Sequence, residues 1–195
     1  ASQRAAAFIL TAAMLTTLTA PAFAGTWYIE NGDITVKAGD TEGTNKVKQG
    51  DSDFVKDEGD TIITGTSNQN TVTIETEKKD DKVEVTLKDV NIDASSRNEA
   101  AVSVTGKGDT NIELDGDNKL QSGSGHAGLE HNKTDTSGEL IIQDNNKDGG
   151  SLKATGGQFG AGIGGAGVND AQVKITGGKI TATGGEYGAG IGGGF

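Results

Sequence analysis

The sequence Leu152-Lys-Ala-Thr-Gly-Gly-Gln-Phe-Gly-Ala-Gly-Ile-Gly-Gly165 returns almost unchanged as Ile180-Thr-Ala-Thr-Gly-Gly-Glu-Tyr-Gly-Ala-Gly-Ile-Gly-Gly193. Ala154 recurs as Ala182, so the period is 28 residues. A fixed period of this length is typical of a solenoid, in which one structural unit stacks on a copy of itself. The repeat therefore predicts a stack of similar units.

Weaker copies of the repeat precede it along the chain. Each copy contains a triplet of two small residues and one aliphatic residue, and successive triplets lie 27, 34 and 28 residues apart. The triplets are Ala100-Ala101-Val102, Ala127-Gly128-Leu129, Ala161-Gly162-Ile163 and Ala189-Gly190-Ile191. The aliphatic anchors that precede them are Ile92, Leu120, Leu152 and Ile180. Before the anchors come short segments rich in Val, Ile and Thr, at 83–87, 111–114, 140–142 and 173–175.

These short segments alternate apolar and polar residues, which is the pattern of a half-buried β-strand. Each coil, meaning one turn of the repeat, is therefore expected to hold three short strands separated by turns. We predict an all-β fold: a single-stranded, right-handed parallel β-helix with about 27–34 residues per coil. Ile163 is then expected to lie beneath Ile191 in a shared interior. An antiparallel sandwich is the alternative, but it does not explain the recurring period.

Residues 1–24 have the features of a secretory signal peptide. Arg4 precedes an apolar stretch over 5–18, and Ala22-Phe23-Ala24 has the small-x-small form of a cleavage site. We therefore expect a secreted or cell-surface protein.

The rest of the chain is expected to divide into two parts. Residues 25–60 are predicted to form an N-terminal cap, with a hairpin-type turn at Asn31-Gly32 and a polar loop over 39–60. Residues 61–195 are predicted to form the β-helix. Since Phe195 lies inside a repeat, we expect the helix to be truncated at its C-terminus.

The chain is acidic, with a net charge of −11, and it contains no cysteine. Nucleic acids and anionic membranes are therefore poor partners, because phosphates would be repelled. Without disulfides, an exported chain depends on packing and backbone hydrogen bonds. We expect a monomer with no membrane insertion of the mature chain.

The repeats resemble those of known proteins. The run Asp60-Thr-Ile-Ile-Thr-Gly65, followed by 83–92 and the triplet at 100–102, resembles secreted carbohydrate-binding proteins of anaerobic bacteria. The glycine-rich repeats look like those of large surface proteins from the same kinds of bacteria. This resemblance implies a right-handed parallel β-helix whose partner is a polysaccharide or a host or cell-wall surface. The family includes binders of acidic plant polysaccharides with calcium on the helix surface.

A turn rich in Asp and Asn is a candidate calcium site. Asp144, Asn146 and Asp148 place oxygen ligands at alternate positions before a glycine, as in the first half of an EF-hand loop. The closing glutamate is missing, so a neighbouring coil would have to complete the site, and Asp115 and Asp117 are the nearest by register. The alternative interpretation is two solvated turns, because Asp, Asn and Gly are ordinary turn residues.

Phe159 and Tyr187 lie one period apart and are expected to stack at a corner. Exposed aromatic rings bind the faces of sugars, so the pair is a candidate carbohydrate platform. The alternative is an aromatic ladder that seals the corner against water.

A polysaccharide lyase is the enzymatic alternative. It would need a strong base, and Arg97 is the only arginine after residue 24. His126 and His131 are the acid–base candidates, although surface positions are the simpler interpretation of all three. We assign no catalytic residue. The predicted function is a non-catalytic carbohydrate-binding or adhesin module, assisted by calcium, with a structural stalk or a lyase as alternatives.

Overall fold

The computed structural model describes residues 25–195, and the predicted signal peptide lies outside this part. The described chain consists of β-strands and one short 3-10 helix at Ile29–Asn31. The strands form a parallel β-helix, as predicted, since equivalent strands of successive coils pair in the same direction. Its right-handed winding remains a prediction from the general rule for parallel crossovers. Within residues 25–195, no helical segment has the length and apolar character of a transmembrane span.

The β-helix has three faces, and each face is a ladder of strands from successive coils. The strands of face one are β1 (Thr26–Tyr28), β5 (Thr61–Ser67), β7 (Lys82–Asp93), β9 (Asp109–Asp115), β12 (Leu140–Gln143) and β15 (Val173–Ile175). Face two joins the C-terminal parts of β5 and β7 to β10 (Asp117–Gln121), β13 (Ser151–Thr155) and β16 (Lys179–Thr183). The strands of face three are β2 (Ile34–Ala38), β3 (Asn45–Gln49), β4 (Val55–Asp57), β6 (Val72–Thr76), β8 (Val102–Gly106), β11 (Leu129–Glu130), β14 (Ile163–Gly164) and β17 (Ile191–Gly192).

Strands β5 and β7 turn the corner between face one and face two without a break. The register shifts between Thr64 and Gly65, so that Asp89 is an extra residue in β7. Gly65 has φ of 99° and Asp89 has φ of 50°. Such left-handed angles suit glycine and are tolerated by aspartate. This bulge bends both strands at the same level of the helix.

Alternate residues point inward and stack in aliphatic columns along the helix. On face three, Val72, Val102, Leu129 and Ile163 are register partners in turn, and all are fully buried. Ile163 in turn pairs with Ile191, which confirms the expected stacking of the triplets. Stacked side chains therefore supply the core that replaces disulfides in this chain.

The prediction that Ile92, Leu120, Leu152 and Ile180 stack in one row is wrong between Leu120 and Leu152, which are displaced from each other by two positions. Leu120 pairs with Ile92 on one side but with Ala154 on the other, whereas Leu152 pairs with Asn118. In this coil Ala154 occupies the inward position that matches Leu120, whereas the larger Leu152 occupies the inward position two residues earlier.

Asn118 occupies the interior position that Leu152 holds one coil later. Its exposed fraction is 1%. Its Oδ1 accepts a hydrogen bond from the Val90 N–H at 2.9 Å, and its Nδ2 donates to the carbonyls of Asp115 and Ser151, each at 3.1 Å. Each of these bonds is made at the corner between faces one and two. A buried amide is therefore accommodated because its donors and acceptors are used.

The N-terminal region differs from its prediction in two ways. Asn31-Gly32 does not close a hairpin, because β1 pairs with β5 on face one whereas β2 pairs with β6 on face three. Residues 39–60 are not a plain loop either, since they contain β3 and β4. These strands pair antiparallel and extend face three beyond the first coil.

Hydrogen bonds to buried polar side chains explain why this polar segment is ordered. Asn45 Nδ2 donates to Thr61 Oγ1 at 2.8 Å and to the Glu84 carbonyl at 2.7 Å. Asp57 accepts from the Gly25 N–H at 2.9 Å and from Trp27 Nε1 at 3.0 Å. These hydrogen bonds hold β3 and β4 against the first coils. The strands thus cover the end of the solenoid, which requires a cap.

A candidate ligand groove on face one

The outer surface of face one carries polar side chains in rows that run along the helix axis. Register places Glu84 beside Asn111, and it places Thr86 beside Glu113, which is in turn beside Gln143. These residues belong to three successive strands, β7, β9 and β12. Because strand residues alternate between faces, the rows point away from the aliphatic core.

The rows form the floor of a groove with a volume of about 650 Å³. One wall consists of the Glu42-Gly43 turn and the segment 58–60, which belong to the N-terminal cap. The opposite wall is the turn at Asn145 and Asn146. The groove floor spans four strands from β5 to β12, which corresponds to about 14 Å along the axis at the usual strand spacing. This size is typical of a binding site for a small ligand or a short segment of polymer.

Two amide side chains in the groove lack partners. Gln143 is only 9% exposed, and its side chain makes no hydrogen bond with another residue of the described chain. Asn111 Oδ1 is buried and likewise has no partner among residues 25–195. Buried polar atoms are normally hydrogen-bonded. The floor therefore contains two amides whose hydrogen-bonding capacity is unused within residues 25–195.

Carboxylates dominate the lining of the groove. They are Glu42, Glu58, Asp60, Glu84, Glu113 and Asp115. Lys82 is the one basic residue among the described residues that line it. Glu113 also positions a wall, because its Oε1 accepts hydrogen bonds from the backbone N–H groups of Asn145 at 2.7 Å and Asn146 at 3.1 Å.

A second cleft, beside the cap, is a weaker candidate site because its charges neutralise one another. Lys37 Nζ lies 3.0 Å from Glu75 Oε2, and Lys46 Nζ lies 2.7 Å from Asp40 Oδ1. The hydrogen bond with Glu75 raises the pKa of Lys37. The hydrogen bond with Lys46 lowers the pKa of Asp40. These groups already have partners of opposite charge, so the cleft offers a ligand little unsatisfied polarity.

The five residues predicted to bind calcium do not surround one point. Asp115 Oδ2 is bound by Lys88 Nζ at 2.6 Å. Asp117 Oδ1 accepts from the hydroxyl of Ser151, on the face-two side of the corner. Among residues 25–195, no group of three or more carboxylate, histidine or cysteine side chains is arranged to hold a metal ion. The donor set as placed does not fit a calcium ion, and calcium binding stays a prediction.

Part of the predicted calcium site is nevertheless a region of like charge. Desolvation by neighbouring groups raises the pKa of the exposed Asp148, and the negative charges of Asp115 and Asp144 raise it further. Asn146 Nδ2 donates to Asp148 Oδ2 at 2.7 Å. The amide therefore relieves some of the repulsion that the three carboxylates create.

Phe159 and Tyr187 stack at a corner as predicted. Their ring centroids are 5.3 Å apart, and their planes differ by 15°. Phe195 packs on Tyr187 with centroids 5.8 Å apart and an interplanar angle of 37°. Tyr187 thus contacts both rings, although it remains 51% exposed. This arrangement favours the ladder interpretation, while sugar binding by the pair stays a prediction.

The residues considered for acid–base chemistry lie away from the groove. Arg97 Nη2 is 2.8 Å from Glu99 Oε2. His126 Nδ1 is 2.8 Å from Oε2 of the buried Glu130. His131 is buried, with its ring nitrogens 3.1 Å and 2.9 Å from the carbonyl oxygens of Val104 and Gly138. None of these three candidates lines the groove.

Comparison with known proteins supports the architecture. Residues 148–167 and 173–195 match a family model described as Beta helix repeat. The match falls on the last two coils, where the sequence repeat is clearest. No curated protein matches the chain, and no solved structure matches it. The described chain is therefore a parallel β-helix whose last two coils are similar to known β-helix repeats.

Two residues that line the groove, Asp115 and Asn146, were predicted from the sequence as calcium ligands, but the residues of its floor were not predicted to bind anything. A signal for them was present, because Glu84, Thr86, Asn111 and Glu113 are the polar members of alternating segments. Alternation identifies such residues as outward-facing. It does not indicate which of the three faces will be bordered by other segments that turn it into a groove. Only the positions of the cap and of the Asn145 turn distinguish face one.

Proposed function

We propose that this chain is a non-catalytic carbohydrate-binding module of a secreted or cell-surface protein. A polysaccharide segment would lie in the groove of face one, along the helix axis. The observation that carries the proposal is the continuous floor of carboxylate, amide and hydroxyl groups across three successive coils, from Glu84 and Thr86 to Gln143.

The chemistry of this floor suits sugar hydroxyl groups. Carboxylates accept hydrogen bonds, whereas amides both donate and accept them. The half-buried side chain of Ile62 adds an apolar surface for the C–H groups of a sugar ring. Because the strands repeat along the axis, the groove presents similar groups at regular intervals, as a polymer of similar units requires.

A glycan array, read with calcium and with a chelator, tests this proposal. Binding should depend on the groove. The variant Glu84→Ala should bind at least about tenfold more weakly, as expected when a ligand loses a charge-assisted hydrogen bond. A matched control is Asp135→Ala, because Asp135 is exposed and does not line the groove. Equal loss in both variants, or binding that neither variant changes, would contradict the proposal.

The same array separates the alternatives. Calcium-dependent capture would support a calcium-assisted module despite the present arrangement of the carboxylates. Release of unsaturated sugars would establish a lyase. If no glycan of any class is retained, a structural stalk becomes the better description.

A further inference from the structure

We propose that the groove on face one selects sugar chains that carry free amino groups, such as N-deacetylated amino-sugar oligosaccharides, over neutral and acidic chains. This inference rests on the proposed carbohydrate-binding function and specifies its ligand class. Several charges and hydrogen-bond acceptors of the groove remain without partners in the described chain.

Half of the carboxylates that line the groove already have cationic partners. Lys82 Nζ lies 3.6 Å from Glu42 Oε1, and Lys88 Nζ lies 2.6 Å from Asp115 Oδ2. Glu58 forms an ion pair with its neighbour Lys56. These pairs are partly exposed and lie at the ends and rim of the groove.

The other carboxylates lack an ion-pair partner within residues 25–195. They are Asp60, Glu84 and Glu113. Glu84 and Glu113 lie on adjacent strands of the floor, two residues apart in register. One oxygen of Glu113 is held by backbone N–H groups, and the second has no partner in the described chain. The middle of the groove is therefore a region of uncompensated negative charge.

The unpartnered amides lie in the same place. Gln143, which is nine-tenths buried, is the register partner of Glu113. Asn111, whose buried Oδ1 lacks a donor, is the register partner of Glu84. Together with the free carboxylates, these groups form a negatively charged patch with unused acceptor oxygens, beside the N–H donors of the two amides.

An ammonium group matches this patch. It carries a positive charge and three N–H donors, and it accepts no hydrogen bond. Its charge-assisted bonds to carboxylates are stronger than those of a neutral hydroxyl. A uronic acid would instead bring a like charge against Glu84 and Glu113, which disfavours binding. The charge of this groove thus opposes the acidic polysaccharides that the sequence resemblance suggests.

Calorimetric titration with three oligosaccharides of equal length tests the inference: fully deacetylated chito-oligosaccharide, its N-acetylated form and oligogalacturonide. The deacetylated form should bind at least about tenfold more tightly than the acetylated form, and the preference should weaken as salt is raised. The double variant Glu84→Gln/Glu113→Gln keeps the side-chain shapes and an acceptor oxygen for the Asn145 turn. It should lose the preference for the amine.

The control variant Asp51→Asn/Asp135→Asn removes the same charge at exposed positions that do not line the groove. It should bind like the wild type, with circular dichroism confirming that both variants fold. If the control variant loses as much affinity as the groove variant, the deacetylated chain is attracted by the overall charge of the protein and not by the groove. The inference then fails. If acetylated and deacetylated chains bind equally and the groove variant weakens both, the inference fails while the proposed function stands. If no sugar binds, both fail.

Discussion

Ile163 and Ile191 are register partners on the adjacent parallel strands β14 and β17, and they lie one 28-residue period apart. Their environments differ, because Ile163 is 0% exposed whereas Ile191 is 51% exposed. Strand β17 is the last strand described on face three, so only one side of Ile191 is covered. This contrast gives a matched pair of variants for the central feature of the fold.

Ile163→Ala should lower the free energy of unfolding by about 3 kcal/mol, as expected for a fully buried isoleucine. Ile191→Ala should cost less than about 1 kcal/mol, because its side chain loses little buried area. Urea denaturation followed by circular dichroism measures both. Similar losses in the two variants would mean that the coils do not stack as described.

The glycines at the corners permit close contact between coils. A Cβ atom on Gly160 would overlap the backbone carbonyl of His126 in the coil below. Gly160→Ala should therefore destabilise the fold by at least about 2 kcal/mol, since backbone atoms would have to move.

Gly149→Ala serves as the control for the Gly160 variant. Gly149 has φ of 88° but open space where a Cβ would lie, so only the backbone angle is penalised, by about 1 kcal/mol. Thermal melts of both variants distinguish steric overlap from angle strain. A larger loss at Gly149 than at Gly160 would contradict the role assigned to coil contact.

The aromatic ladder should contribute to stability more than to binding. Tyr187→Ala removes the ring between Phe159 and Phe195, and each stacked pair is expected to contribute about 1 kcal/mol beyond its buried area. We expect Tyr187→Ala to have a lower melting temperature. Its affinity should be unchanged for any glycan whose binding the groove variants weaken. Tyr187→Phe should behave like the wild type in both measurements. Loss of binding without loss of stability would instead identify the rings as a sugar platform.

Asn118→Leu tests whether the buried amide is needed. Leucine would extend the aliphatic column that contains Leu152, but the Val90 N–H would lose its acceptor. We expect a net loss of about 2 kcal/mol, because a buried donor without a partner costs more than the added apolar contact contributes. The neighbouring Lys119→Ala is the control, as Lys119 is exposed on the same strand. If urea denaturation shows that the leucine variant is more stable than the wild type, this expectation is wrong.

The raised pKa of Asp148 should be detectable in the pH dependence of the free energy of unfolding. Its pKa in the folded chain is raised above the ordinary 3.8 by desolvation and by the charges of Asp115 and Asp144. In the window above 3.8, the folded chain therefore holds a proton that the unfolded chain releases, and stability falls as pH rises through this window. Asp148→Asn should flatten this fall when urea midpoints are compared across acidic pH.

Calcium provides the second measurement on the same variant. If calcium binds at this turn, millimolar calcium will raise the melting temperature of the wild type, and the gain will be absent in Asp148→Asn. A gain that persists in the variant would place any calcium site elsewhere. If calcium raises the melting temperature of neither protein, calcium does not neutralise the like charges around Asp148.

The periodic part of the molecule was predictable because its rules are local. Alternation in segments such as 83–87 and 111–114 indicates which residues face inward, and the 28-residue period indicates that the coils stack in parallel. The same rules failed at Leu120, because Leu152 and Ala154 both face inward and the register partner of Leu120 is the smaller of the two. They also failed at 39–60, where the buried polar residues Asn45 and Asp57 have hydrogen-bond partners as far as 39 and 32 residues away.

The amino-acid sequence thus specified strands, inward direction and repetition, since each depends on neighbours along the chain or one period away. The groove depended on contacts between distant segments. The cap at Glu42 and 58–60 and the turn at Asn145 wall face one, although the strands of every face alternate in the same way. Which surface accepts a ligand is a property of that assembly, because the unpaired charges of Glu84 and Glu113 follow from the positions of all the other charges around them.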